Sequence, residues 1–308
     1  MIEEAPRVAT RRVGPRLDAT LGRWLQVGIS FVCLGWFGLQ LRGLDWSLGE
    51  SLRDASWTSI AACFAGTSLL YSLRLLRLRF WTERAAQRAL TWREWGDLYL
   101  ASIALGSLSP ARLGDFSRIA LLAKTGLSLR VRGQIVLLDK LSDFLYVPLA
   151  LCVAAPILSR QLGVSPWLPA AGALPLLLGY LLAARILGGP LGAQALASGA
   201  ALSLLGFPLF IVSNALLFWG LGIRLPLADV TAIIVTVGVL ANLPLSIAGI
   251  GVREASLFAI LESRGVASSH ATALVLFEFL LNVLWPLLLY AAWKALRRME
   301  RSTAHAAG

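Results

Sequence analysis

Six long apolar runs constrain this chain more than any other feature. Residues 24–41, 57–73, 135–158, 167–187, 195–221 and 271–295 each approach or exceed the roughly 20 residues that span hydrocarbon. No water pairs with the backbone in lipid, so each run has to close its own hydrogen bonds as a helix. Only 15% of the residues are charged and 57% are hydrophobic, with a mean hydropathy of +0.72. Too few solvated side chains remain to coat a water-soluble domain. The expectation is an all-α integral membrane protein with about six transmembrane helices.

The formal net charge of +11 is not spread over one soluble face. It gathers beside apolar runs: Arg7, Arg11, Arg12, Arg16 and Arg23 in the amino-terminal tail, Arg74, Arg77, Arg79, Arg84, Arg88 and Arg93 after the second run, and Lys294, Arg297, Arg298 and Arg301 after the last. The positive-inside rule puts all three clusters in the cytoplasm. Both termini are then expected there, and the number of crossings is even. The same charge attracts anionic lipid, and nucleic acid is not an expected partner. Trp81, Trp92 and Trp95 stand among the charges of 79–97 and suggest a helix lying in the interface. Cys33, Cys63 and Cys152 fall singly in separate apolar runs, and His270 and His305 are the two histidines. No disulfide, metal centre or cofactor is expected from that material.

Two regions do not fit a simple crossing. Residues 98–123 and 230–261 each have a short apolar arm, a break rich in Pro and Gly, and a second short arm. The first break, SPARLGDFSR, holds Pro110, Arg112, Gly114, Asp115 and Arg118; the second holds Pro244, Gly249, Gly251, Arg253 and Glu254. Broken backbone at membrane depth is tolerated only where protein or a water-filled cavity surrounds it, so both are expected to be re-entrant helical hairpins. They also look like copies of one unit. Gly126 precedes Asp139 by 13 residues and Asp143 by 17, and Gly265 precedes Glu278 and Asn282 by the same distances. Upstream the register slips, from 12 residues between Gly114 and Gly126 to 14 between Gly251 and Gly265, which suggests a two-residue insertion. Three crossings separate the units, so the second is expected to be inverted. Repeat one, about 98–158, and repeat two, about 230–295, would then flank a midplane site, as in many secondary transporters.

The breaks carry the chemistry. Pro110 ends the first arm, Gly114 permits a close or left-handed turn, and the second arm from Phe116 aims its amino terminus at the break, where anions bind. Arg112, Arg118 and Arg253 offer planar forks suited to phosphate. Asp115 can pair with Arg118, and Glu254 neighbours Arg253; the alternative reading is a loop with an internal ion pair at the first break and a simple turn between packed helices at the second. Asp139, Lys140 and Asp143 lie inside an apolar run, as does Glu278. A carboxylate near the bilayer centre costs about 2.5 to 3.5 kcal/mol on insertion scales. Asp139, Asp143 and Glu278 are therefore expected to face protein and either to partner the arginines or to take up protons. Gln194, Ser213 and Asn214 read as interhelical hydrogen-bonding residues.

The stretch LSPARLGDFSRIALLAKTGLS, then VLLDKLSDFL, then SIAGIGVREASLFAILESRGV resembles, in order and spacing, the transmembrane flippase-like domain of lysylphosphatidylglycerol synthases and its stand-alone bacterial and archaeal relatives. The likeness runs over about residues 21–296. Pro110, Arg112, Gly114, Asp115 and Arg118 carry it in the first break, and Gly249, Gly251, Arg253 and Glu254 in the second. The family usually has Glu where Asp115 stands, and an acidic residue followed by Arg where Asp139 and Lys140 stand.

The resemblance implies a multi-pass protein of the bacterial or archaeal plasma membrane, with cytoplasmic tails at 1–20 and 297–308 and a single domain between. It implies translocation of a lipid with a phosphate-containing polar headgroup, such as an aminoacyl-phospholipid or a polyprenyl-phosphate-linked sugar. Arg112, Asp115, Arg118, Asp139, Asp143, Arg253, Glu254 and Glu278 are the expected substrate contacts, with no catalytic residue and no cofactor. The family's soluble aminoacyl-transferring domain has no counterpart in the sequence, so an enzyme is not expected. The alternative is an intramembrane transferase with Asp139 or Asp143 as general base, or an accessory partner of a lipid-modifying enzyme or glycosyltransferase.

Overall fold

The computed structural model describes residues 48–86, 88–165, 167–189, 191–242 and 251–306. The apolar run 24–41, the amino-terminal arginines, Pro244 and Gly249 lie outside the described residues. In chain order the elements are α1 (Leu48–Arg53), α2 (Trp57–Ala85), α3 (Trp92–Leu108), a 3-10 segment (Pro110–Phe116), α4 (Ser117–Leu121), a second 3-10 turn (Leu122–Thr125), α5 (Leu129–Asp143) and α6 (Tyr146–Leu162). There follow α7 (Trp167–Ala171), α8 (Ala173–Leu187), α9 (Ala193–Gly220), α10 (Leu227–Asn242), α11 (Val252–Ser263), α12 (Ser268–Phe279), a π-helical turn (Leu280–Leu284) and α13 (Trp285–Ala306). Three stretches are long and apolar enough to cross a membrane: α2, α9 and the continuous Ser268–Glu300. Shorter apolar helices occupy Ala173–Leu187 and Leu227–Ala241. The chain is a membrane protein and is all-helical where it is described.

Two expected single crossings are each two helices. The run 135–158 breaks between α5 and α6 at Phe144 and Leu145. Pro148 has no amide to return to the Phe144 carbonyl, and its ring crowds that oxygen. The run 167–187 breaks at Gly172, where Pro175 does the same to the carbonyl of Ala171. The expected interfacial helix at 79–97 is not a separate element either. No Gly or Pro interrupts α2 after Leu73, so it continues to Ala85. A capping box then opens α3: Thr91 Oγ1 accepts from the Glu94 amide at 3.3 Å, and Glu94 Oε2 accepts from the Thr91 amide at 2.9 Å. Trp81 is fully buried, its indole donating to the Ala195 carbonyl at 2.8 Å, and Trp95 is buried too. Of the three tryptophans Trp92 is the exposed one, and the Arg79 guanidinium stands 3.7 Å from its ring centroid.

Small residues set the packing. α2 lies along α9, where a Cβ at Gly66 would strike Ser213, one at Gly199 the Trp81 ring, and one at Gly220 Ser59. The 3-10 segment folds back on α3: a Cβ at Gly114 would strike the Leu105 carbonyl, and one at Gly106 the Asp115 carboxylate. Gly114 thus serves close approach, and the left-handed residue of this break is Arg112, at φ 54. α10 and α11 pack on each other as the second helix pair. α13 lies against α3, where Trp293 Nε1 and Lys294 Nζ donate to Asp97 at 3.1 and 2.7 Å.

Candidate functional site

α5 carries Asp139 and Asp143 one turn apart on one face. Arg77 of α2 serves both: Nε donates to Asp139 Oδ1 at 2.8 Å, and Nη2 donates to the Asp139 carbonyl and to Asp143 Oδ1, each at 2.9 Å. Its Nη1 donates to Ser203 Oγ at 2.8 Å. Arg118 closes the other carboxylate oxygen, Nη1 to Asp139 Oδ2 at 2.5 Å, and donates through Nε to Ser102 Oγ at 2.9 Å. Asp115 stands 3.6 Å from Arg118 and pairs with Lys140, while Arg74 lies 3.4 Å from Asp143. Arg77, Asp115, Arg118 and Asp139 are all buried, which full pairing makes tolerable.

This network changes the reading of three arginines. The unbroken α2 buries Arg77 and half-buries Arg74, and both pair with carboxylates of α5. Their spacing of three, inside a helix with no breaker, was the sequence signal for buried partners. The Arg118 guanidinium is engaged on Ser102, Asp139 and Asp115, and α4 is only five residues long. The expected anion site at a helix amino terminus is therefore not built there, and Arg112 is the first hairpin's basic contribution to the space beyond.

That space is a cavity of about 340 Å³ lined from α2, the first 3-10 segment, α5, α6, α9, α10, α11, α12 and the π-helical turn. Arg112 and Arg253 line it, with Arg74, Lys140, Asp143, Glu278 and Asn282; Leu70, Phe116, Leu137, Phe144, Phe210 and Val235 supply apolar wall. Arg112 Nη2 donates to Asn282 Oδ1 at 3.2 Å. Among the described residues no carboxylate comes within ion-pair distance of Arg112. Arg253 is buried at the start of α11, in the field of Arg112, Glu254 and Glu278. Glu254 caps its own helix, Oε2 accepting from the Gly251 amide at 2.6 Å, with Gly251 at φ 85. Glu278 is buried; its Oε2 accepts from Asn282 Nδ2 at 2.7 Å, and among the described residues its Oε1 has no hydrogen-bond partner. Asn282 sits in the π-helical turn, which Pro286 imposes by denying an amide to the Asn282 carbonyl.

Of the residues expected from the sequence, the structure thus brings Arg112, Asp143, Arg253 and Glu278 to the cavity and sets Asp115, Arg118 and Asp139 in the adjoining ion-pair network. Arg74, Arg77 and Tyr146 were not among them; Tyr146 lines the cavity beside Arg74, 5.9 Å over its ring. Among the described residues no group of three His, Cys, Asp or Glu side chains is placed to hold a metal ion.

The arms that precede the buried carboxylates end alike, Gly126 at φ 77 and Gly265 at φ 72. Asp115 and Glu254 each lie 11 residues before them, a spacing without the two-residue slip of Gly114 and Gly251. Gly114 and Gly251 are not counterparts: the first lies within the 3-10 segment, the second at a left-handed helix cap.

The family model for the lysylphosphatidylglycerol synthase TM region matches residues 23–190, more than half of the chain. The match takes in the first hairpin and the buried network, and the second hairpin lies beyond it. No curated protein matches the chain. This match over more than half of the chain, together with its membrane-crossing helices, makes the chain a member of the lysylphosphatidylglycerol synthase transmembrane-region family.

Proposed function

We propose that this protein translocates a phosphate-bearing lipid between leaflets, holding the headgroup on Arg112 and Arg253 while the acyl chains stay in the bilayer. Family membership supports a lipid-related role in the membrane. The observation that carries the reading is Arg112, a guanidinium in a largely apolar cavity whose bonded partner is a neutral amide rather than a carboxylate. Such a cation calls for an anion, and a phosphate presents two oxygens to its fork. Its positive φ is the kind of local strain that persists where a structure holds a residue for use. The matched spacings of Asp115, Gly126 and Asp139 with Glu254, Gly265 and Glu278 support two copies of one unit, in inverted arrangement if both termini are cytoplasmic. Asp139 has both carboxylate oxygens on arginines, which favours translocation over transferase chemistry with that residue as base.

The test is bleaching of a fluorescent phosphatidylglycerol in proteoliposomes by an impermeant reductant. Wild type is expected to expose the inner-leaflet probe, and Arg112→Ala to leave it near the protein-free level. Equal rates in the two proteins would overturn the assignment.

A further inference from the structure

The cavity holds a carboxylate that lipid capture does not use. Glu278 is 8% exposed and lines the cavity, with Oε2 on Asn282 and Oε1 without a partner among the described residues. Its counterpart by spacing, Asp139, has both oxygens closed by Arg77 and Arg118. Eight residues before Gly265, where Arg118 stands in the first unit, the second has Leu257. The second unit thus keeps the buried carboxylate and lacks the arginine that closes it.

We infer that Glu278 is a proton-binding site coupled to the headgroup, taking up one proton for each monoanionic headgroup held on Arg112 and Arg253. This rests on the phosphate reading above. The ionisable groups facing Glu278 are Arg253 and Glu254 from α11 and Cys63 from α2, with Arg112 of the 3-10 segment one hydrogen bond away through Asn282. From α9 the cavity receives the neutral Ser213 and Asn214. Arg112, Arg253, Glu254 and Glu278 together carry two positive and two negative charges. On the other side Arg74, Arg77, Arg118 and Lys140 stand with Asp115, Asp139 and Asp143, and the one charge in excess is held where Arg77 and Arg118 share Asp139. A phosphodiester held on Arg112 and Arg253 stands beside Glu278 and competes with it for Arg253, which leaves the carboxylate an uncompensated negative charge where screening by water is weak. A proton from water, bonding to Oε1, removes that charge while Asn282 keeps its bond to Oε2. A metal cation is a poorer answer, because two guanidinium groups flank the site and the described residues supply no three-ligand cluster.

The experiment is calorimetric titration of the full chain in a neutral detergent with dioctanoyl-phosphatidylglycerol, in two buffers of different ionisation enthalpy. Wild type is expected to take up about one proton per lipid, and its affinity to fall about tenfold per pH unit as pH rises through the uptake range. Glu278→Gln is expected to bind at least as tightly, with no uptake and no pH dependence; Glu278→Asp should retain uptake. Absence of binding in the wild type overturns the phosphate reading and the coupling with it. Binding without proton uptake overturns the coupling alone, and uptake that survives Glu278→Gln overturns the assignment to Glu278. The wild-type proton count stands whether or not the glutamine variant folds.

Discussion

Arg112 in the first 3-10 segment donates to Asn282 in the π-helical turn at 3.2 Å, across 170 residues of sequence. The bond holds a guanidinium at the cavity without neutralising it. Hydrogen bonds to charged groups are worth about 1.5 to 3 kcal/mol, so Arg112→Ala should weaken binding of a short-chain phosphatidylglycerol roughly 10- to 100-fold. Arg112→Lys should fall between the two, since an ammonium keeps the charge and loses the fork. Asn282→Leu should cost less than Arg112→Ala, because it removes the support and leaves the cation. Calorimetric affinities rank the three, and a lysine variant equal to alanine would count against phosphate recognition.

The ion-pair network beside the cavity should act on stability. Arg77→Ala or Arg118→Ala strands part of the Asp139 carboxylate in the interior, a change that typically costs about 3 to 5 kcal/mol. The exposed pair of Arg93 and Glu300, 3.6 Å apart, serves as control, and Arg93→Ala should cost at most about 1 kcal/mol. Thermal unfolding in detergent distinguishes them. If the Arg77 and Arg93 variants melt together, the network is not a stabilising element.

Gly114→Ala should loosen the packing of the 3-10 segment on α3. The added methyl meets the Leu105 carbonyl, which is backbone and cannot rotate away, at a cost of about 1 to 3 kcal/mol. Gly133 in α5 has nothing within 4 Å of the corresponding position, and Gly133→Ala should stabilise by roughly 0.5 to 1 kcal/mol. The two alanine variants are therefore expected to shift the melting temperature in opposite directions, with lipid movement falling only in the first.

Lys294 and Arg297 beside α3 and the basic tails lead us to predict cytoplasmic termini. Single cysteines replacing Ser165, in the turn after α6, and Ser302, near the end of α13, should label from opposite faces of sealed vesicles in a cysteine-free background. Labelling of both from one face would sink the topology with cytoplasmic termini.

The membrane class and the long helices α2, α9 and Ser268–Glu300 are legible in the sequence, because apolar length is a local property and lipid leaves the backbone no alternative to a helix. So is the need for Asp139 and Glu278 to face protein, since burial of a lone carboxylate in lipid is costly wherever the chain goes. The breaks before Pro148 and Pro175 were within reach of the same reasoning, for each proline denies an amide to a definite carbonyl; the apolar runs around them concealed the interruption. Which arginine does what was not legible. Arg112 and Arg118 lie six residues apart in the same break, yet the turn of the 3-10 segment directs one to the cavity and the other to Asp139, and Arg77 arrives from a helix 62 residues away. Composition determines that such charges must be compensated; only the packing of distant helices decides which partner each one meets, because electrostatic pairing depends on distance in space and the sequence supplies only distance along the chain.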